Sequence, residues 1–206
     1  MSYRAVIFDL GGVVLGSPLH VIRDYEREKG IEEGLVNRVV VRTGHDGAWS
    51  RLERGELDLE AFYPAFDRDC ADAGPAFSAR EMMERIGETT GPRPQMLAAI
   101  GRIRARGLAT AALTNNWKSD DAAWNVLGDH FDAYVKSAVE GVRKPDPRIY
   151  HIACERLSVE PSGAVFLDDI GRNLKTAREL GMATIKVDDP DVALAELETL
   201  LGFDLR

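Results

Sequence analysis

Asp9 closes a short apolar run, Ala5-Val-Ile-Phe8, and Asp168-Asp169 closes another, Ala164-Val-Phe-Leu167. Carboxylates brought close together repel one another and need a cation. Mg²⁺ takes one or two of them with carbonyls, waters and a substrate phosphate. An aspartate kept ionised beside that cation is a nucleophile toward phosphorus and forms an aspartyl-phosphate. A third apolar run, Ala109 to Leu113, leads into Thr114-Asn115-Asn116. That segment offers a hydroxyl, side-chain amides and backbone N–H groups, the donors a phosphate requires. Lys144 adds a point charge suited to a transferring phosphoryl group, and Gly11-Gly12 would let the backbone approach a ligand closely. Each segment has a plain alternative: a turn-forming aspartate, an acidic helix start, an asparagine turn, a solvated lysine. Their joint occurrence after strand-like runs favours one phosphate-handling site.

The elements that must position these residues follow from hydrophobic patterning. Short continuous apolar runs read as strands buried on both faces of a parallel sheet. The strand candidates span Ala5–Phe8, Ala109–Leu113 with Thr110 inside it, Ala164–Leu167, and Ala183–Val187 with Thr184 and Lys186 inside it, and Ala133–Ser137 is a weaker fifth. Helical patterns lie between and after them: Pro94–Arg106, Asp120–Leu127, Pro147–Leu157, Asn173–Leu180 and Val192–Leu201. Asp146-Pro147 is a helix start with an N-cap acceptor and a first-turn proline, and Gly181 is a helix stop. Alternating strands and helices define an α/β fold with a Rossmann-like open parallel sheet. Ligands bind beyond the carboxyl ends of such strands, where Asp9, Thr114, Asn115, Asp168 and Asp169 fall, with Lys144 in the loop after the weak strand. Residues 16–90 show only helical periodicity, over Pro18–Lys29, Glu32–Val41, Asp58–Ala71 and Ser78–Ile86, and Gly91-Pro-Arg-Pro94 ends the stretch. The expected organisation is an α/β core from 1–15 and 91–206 with an all-helical insertion, 16–90.

The 206 residues suffice for a hydrophobic core without disulfides or structural metals. A net charge of −8 disfavours nucleic acid and anionic membrane as partners. Cys70 and Cys154 form no framework or metal cluster and read as buried apolar residues. His20, His45, His130 and His151 are scattered and read as surface or packing residues. P-loop, dinucleotide-binding, HExxH and EF-hand patterns are missing from the sequence. With no signal-peptide or membrane-helix stretch, the expected compartment is the cytoplasm, and the chain is expected to be a monomer or homodimer.

With these residues the sequence resembles the haloacid dehalogenase superfamily. The resemblance rests on four motifs in order: Phe8-Asp-Leu-Gly-Gly-Val-Val14, Leu113-Thr-Asn-Asn116, Arg143-Lys-Pro-Asp-Pro147 and Phe166-Leu-Asp-Asp-Ile-Gly-Arg-Asn173. The insertion after the first motif is similar to that superfamily's C1-type cap. Thr114-Asn-Asn-Trp117, Lys144-Pro-Asp-Pro-Arg-Ile-Tyr150, Phe166-Leu-Asp-Asp-Ile-Gly-Arg-Asn-Leu174 and the tail Leu200-Leu-Gly-Phe-Asp-Leu205 resemble the phosphatase domains of soluble epoxide hydrolases and of some acyl-CoA dehydrogenases. Epoxide hydrolysis is not implied. The resemblance implies a Mg²⁺-dependent phosphatase acting on a small phosphorylated substrate. It makes Asp9 the nucleophile and a metal ligand, Asp169 the second carboxylate ligand with Asp168 nearby, and the Gly11 carbonyl a further ligand. Thr114 and the Asn115 backbone would bind phosphate, Lys144 would stabilise the transferred group, and Asn173 would order the metal-side loop.

Gly11 departs from the pattern, because phosphatases of that superfamily usually carry an aspartate there as general acid and base. Loss of such a group typically costs about 10²–10⁴-fold. Two other readings stay open: a weakly active or inactive phosphate- or partner-binding protein, and a metal-independent 2-haloacid dehalogenase. Dehalogenases typically carry serine and asparagine in place of Asp168 and Asp169. An acidic pair without a cation would raise carboxylate pKa values and weaken the nucleophile. Substrate choice is expected to lie in Gly47–Glu56, through Arg51, Arg54 and Glu56, with Trp49 and Trp117 as core residues ahead of pocket liners.

Overall fold

The computed structural model describes residues 3–74, 76–89, 91–118 and 127–206. Strands β1 (Ala5–Phe8), β2 (Ala109–Thr114), β3 (Ala133–Lys136), β4 (Ala164–Asp168) and β5 (Ala183–Lys186) form one sheet in the order β3-β2-β1-β4-β5. Every pairing is parallel, as the continuous apolar runs predict. The five expected strands are all present, the weak one included. The helix expected over Asp120–Leu127 lies outside the described residues except for Leu127.

Side chains alternate across β1 and set the two packing layers. Val6 and Phe8 face α6 (Pro94–Ala105) and α10 (Pro190–Leu201), joining Met96, Ile100, Ile103, Leu194 and Leu197. Ala5 and Ile7 face α8 (Pro147–Arg156) and α9 (Gly171–Glu179), joining Ile149, Tyr150, Ala153 and Leu174. All four β1 side chains are fully buried, each large one contributing about 1.5–3 kcal/mol. A slip of one residue would exchange the faces, so core packing also fixes which residue ends the strand. Phe8 pairs with Ala112 and with Leu167. Asp9 therefore comes level with Leu113 and Asp168, one step from Thr114 and Asp169.

Between β1 and α6 the chain builds α1 (Pro18–Glu28), α2 (Leu35–Thr43), α3 (Ala48–Glu53), α4 (Leu59–Asp69) and α5 (Ala79–Thr89). They enclose a separate cluster around Tyr25, Phe62, Phe66 and Met82. Trp49 packs against that cluster, as does Trp117 from beyond β2. The stretch leaves and rejoins the sheet through two adjacent chain segments: Leu15 bridges Pro92, Gly16 N donates to Gly91 O at 3.0 Å and Arg93 N donates to Val14 O at 2.8 Å. Helix α3 lies outside the helical patterns of the sequence, because its six residues are too few to show periodicity. A further short helix, α7 (Ser137–Glu140), follows β3 directly. Among the described residues no helix is long and apolar enough to cross a membrane.

Candidate active site

Asp9, Asp168 and Asp169 gather at the carboxyl ends of β1 and β4, each offering an oxygen within 4.8 Å of the others. Asp9 N continues the sheet by donating to Leu167 O at 2.8 Å, and the carboxylate then folds back, Oδ1 accepting from Leu10 N at 2.7 Å. Lys144 Nζ lies 2.9 Å from that same oxygen and 2.6 Å from Asp168 Oδ2. Asp9 Oδ2 is left without a hydrogen-bond partner among the described residues. Asp168 is fully buried and saturated: Oδ1 accepts from Ile170 N at 2.7 Å, and Asn173 Nδ2 reaches both oxygens at 3.1 Å. Asp169 keeps partial exposure.

The approach of Asp169 depends on Gly12. This residue has φ +81°, and a Cβ built there would fall 2.3 Å from Asp169 Oδ2. Both the left-handed backbone and the space require glycine. Gly11 has an ordinary φ of −64°. Arg93 secures the turn from outside, donating from Nη1 to Gly12 O at 2.9 Å and Val13 O at 3.2 Å. The sequence presented Arg93 only as part of a chain break between prolines. Its pairing spans 81 positions, and no local signal marks it.

One ammonium faces three carboxylates, and the electrostatics show the deficit. Burial raises the Asp9 carboxyl well above the usual carboxylate range; Lys144 opposes this, and Asp168 and Asp169 add to it. Asp169 is raised to about 6, by burial and then by Asp168. Burial pulls the Lys144 ammonium down, but Asp168 and Asp9 outweigh it and the net shift is upward. A hard divalent cation would balance this donor set, and oxygen ligands suit Mg²⁺. The sign for stability follows. Native Asp169 holds its proton above the unfolded value, so the metal-free protein should lose stability as pH rises from about 4 to about 6. Mg²⁺ should then raise the melting temperature more at pH 8 than at pH 5, and Asp169→Asn should flatten the difference. Equal Mg²⁺ shifts at both pH values in the wild type would refute metal binding at these carboxylates.

The Asn115 side chain has a structural task that its position after β2 does not announce, and it leaves the Asn115 backbone beside Thr114. That side chain clamps the Lys144 backbone, Oδ1 accepting from Lys144 N at 2.8 Å and Nδ2 donating to Lys144 O at 3.0 Å. Among the described residues Thr114 Oγ1 makes only a long 3.4 Å bond to Asn115 O, which leaves it available to a ligand. Beside these residues opens a cavity of about 300 Å³ between sheet and helices. Leu10, Gly11, Thr114, Asn115 and Trp117 form its floor; Leu59, Tyr63, Met83, Glu84 and Ile86 form the facing wall. Arg51, Arg54 and Glu56 are not among the lining residues. Glu56 pairs with both arginines, with Arg54 Nε 2.6 Å and Arg51 Nε 3.5 Å from it, and Arg54 Nη1 also donates to His45 O at 2.9 Å. Trp117 lines the cavity and packs on the helical cluster, so core and pocket are not alternatives for it.

This arrangement has a family. Residues 3–181 match the haloacid dehalogenase-like hydrolases, and the chain belongs to that family. It is similar to acyl-CoA dehydrogenase family member 10 of Mus musculus, 43% identical over all of this chain and 20% of that protein. It is also similar to bifunctional epoxide hydrolase 2 of Sus scrofa, 35% identical over all of this chain and 40% of that protein. The chain thus spans less than half the length of either. A phosphatase of Mycobacterium tuberculosis is 35% identical, over 91% of this chain and 88% of that one. In fold it is similar to a family enzyme of Bacteroides thetaiotaomicron solved with magnesium and inorganic phosphate: TM-score 0.63, 18% identity, 90% of this chain and 94% of that chain.

Proposed function

We propose that the chain hydrolyses phosphate monoesters of small molecules, with Mg²⁺ as cofactor and Asp9 as covalent nucleophile. The observation that carries this reading is the cluster of Asp9, Lys144, Asp168 and Asp169 opening beside Thr114 at the strand ends. The phosphatase similar over most of both chains supports it, as does the magnesium- and phosphate-bound neighbour in fold.

In this reading Asp9 Oδ2, the oxygen not occupied by Leu10 N or Lys144, attacks phosphorus. The ester P–O bond breaks and the aspartyl-phosphate forms. Thr114 Oγ1 and the backbone beyond β2 bind the phosphoryl oxygens, and the Lys144 ammonium neutralises charge as it develops on them. Asp168 orients Lys144. Mg²⁺, held by Asp9, Asp169 and the Gly11 carbonyl, would supply further charge stabilisation. Water then attacks phosphorus, the Asp9 O–P bond breaks, and phosphate leaves with Asp9 restored. Gly11 provides no side chain to protonate the alcohol, so solvent water does so. The helical layer acts as a cap that excludes bulk water. Because leucine, methionine, isoleucine and aromatic side chains dominate the cavity, it suits an ester whose organic part is apolar.

Hydrolysis of p-nitrophenyl phosphate, with Mg²⁺ and with EDTA, tests the reading. Its leaving group needs little protonation, so the expected result is Mg²⁺-dependent turnover that EDTA removes. Equal rates under both conditions, or none, would sink it. Turnover of 2-haloacids insensitive to EDTA would establish the dehalogenase chemistry instead. Gly11→Asp should raise kcat on alkyl phosphates by about 10-fold or more, if protonation of the leaving group limits the rate. A Cβ there would meet Pro18 Cδ at 3.2 Å and Cγ at 3.3 Å, a ring edge that must give only slightly. An unchanged rate in a stably folded variant would assign leaving-group protonation elsewhere.

A further inference from the structure

Helix α3 of the helical insertion reaches into the core through Glu53, which is 7% exposed. Its Oε1 accepts from Trp49 Nε1 at 2.9 Å, holding the carboxylate from its own helix. Its Oε2 lies 2.5 Å from Arg143 Nε, an ion pair not aligned as a hydrogen bond, and 3.4 Å from Asn115 Nδ2. Arg143 is gripped a second time from α3, its Nη1 donating to Ser50 Oγ at 2.6 Å. Beside this contact Gly55, at φ +70°, lies flush on α7: a Cβ there would fall 2.3 Å from Ala138 O. The two core residues that α3 grips are those that place Lys144. Arg143 precedes it in the chain, and Asn115 clamps its backbone on both sides.

We infer that Glu53 is a positioning residue, which couples seating of the helical insertion to the placement of Lys144 through Arg143 and Asn115. This rests on the phosphatase reading for its catalytic consequence, though not for its structural one. When the insertion is seated, Glu53 and Arg143 satisfy each other in a nearly water-free contact, where an unpaired charge is costly. Lifting it withdraws Glu53 and Ser50 from Arg143 and frees the loop that carries Lys144. Lys144 acts on the transferring group, so loosening this contact should lower kcat rather than raise KM.

The test makes Glu53→Gln and Arg143→Met, singly and together, in the full chain. Glu53→Gln keeps the shape and an acceptor for Trp49 and is the milder change, and a melting curve checks that each variant is folded before its kcat and exchange are read. With p-nitrophenyl phosphate and Mg²⁺, each single variant should lose about 10-fold or more in kcat, as small displacements of catalytic groups do. KM should stay within about 3-fold, and the double variant should lose no more than either single one. Without any substrate, hydrogen exchange at the Lys144 amide should accelerate by about 10-fold in Glu53→Gln. Losses that multiply in the double variant, or a Lys144 amide exchanging at the wild-type rate, would overturn the coupling. If the wild type turns over nothing while the exchange accelerates as expected, the phosphatase reading fails and the coupling stands.

Discussion

Asp9→Asn is expected to abolish turnover of p-nitrophenyl phosphate, a loss on the order of 10⁴ or more, as for other removed nucleophiles. The carboxamide is a poor nucleophile and no neighbour can replace it: Asp168 is saturated by Ile170 N, Asn173 and Lys144. Asp169 belongs to the other strand end, behind the Gly12 turn. The fold should survive. Asparagine has the same size, its Oδ1 still accepts from Leu10 N, and one of three mutually repelling charges is gone. The measurement pairs kcat with a melting curve. Undiminished turnover in a folded Asp9→Asn protein would remove Asp9 from the mechanism.

Lys144→Met is expected to be the most destabilising substitution in the site. Lys144 is 1% exposed and contacts both Asp9 and Asp168, themselves almost sealed from solvent. Methionine fills most of the volume but leaves two buried carboxylates without their counter-charge, and breaking a buried ion pair from one side costs about 3–5 kcal/mol. The cost should grow with pH, because native Asp9 and Asp169 titrate above the ordinary carboxylate range and the unfolded chain ionises first. Added Mg²⁺ should recover part of the loss by supplying positive charge to the same oxygens. Urea unfolding at pH 5 and pH 8, with and without Mg²⁺, reads all three effects. A variant as stable as wild type at pH 8 without metal would show that Lys144 does not balance this cluster.

These two variants address residues that the sequence alone displays. Asp9 and the Asp168-Asp169 pair each follow an uninterrupted apolar run, and Thr114 follows a run broken only by Thr110; burial of such runs on both faces favours a parallel sheet with its strand ends on one side. The −8 net charge and the scattered histidines narrowed the chemistry, and Gly11 departs from the pattern of the family that the motifs resemble. Covalent neighbours carry that information, so a linear pattern displays it.

The contacts that tune the site were not visible. Arg93 bonds to Gly12 and Val13 across about 80 positions, and Glu53 meets Arg143 across 90. An arginine or glutamate in a polar stretch reads the same whether it faces water or a buried partner. Arg51, Arg54 and Glu56 looked like substrate contacts and turn out to pair with one another, while Glu53, in the same short segment, is the residue that enters the core. The side-chain amide of Asn115 clamps the backbone of Lys144, 29 positions away, a contact that the Asn115 position after β2 does not announce. The sequence by itself determined the sheet, the strand ends and the identity of the chemical groups, because strand burial and turn chemistry are local. Only the tertiary structure decided which charge neutralises which and what shape the cavity takes, because those depend on distances between segments that no spacing along the chain encodes.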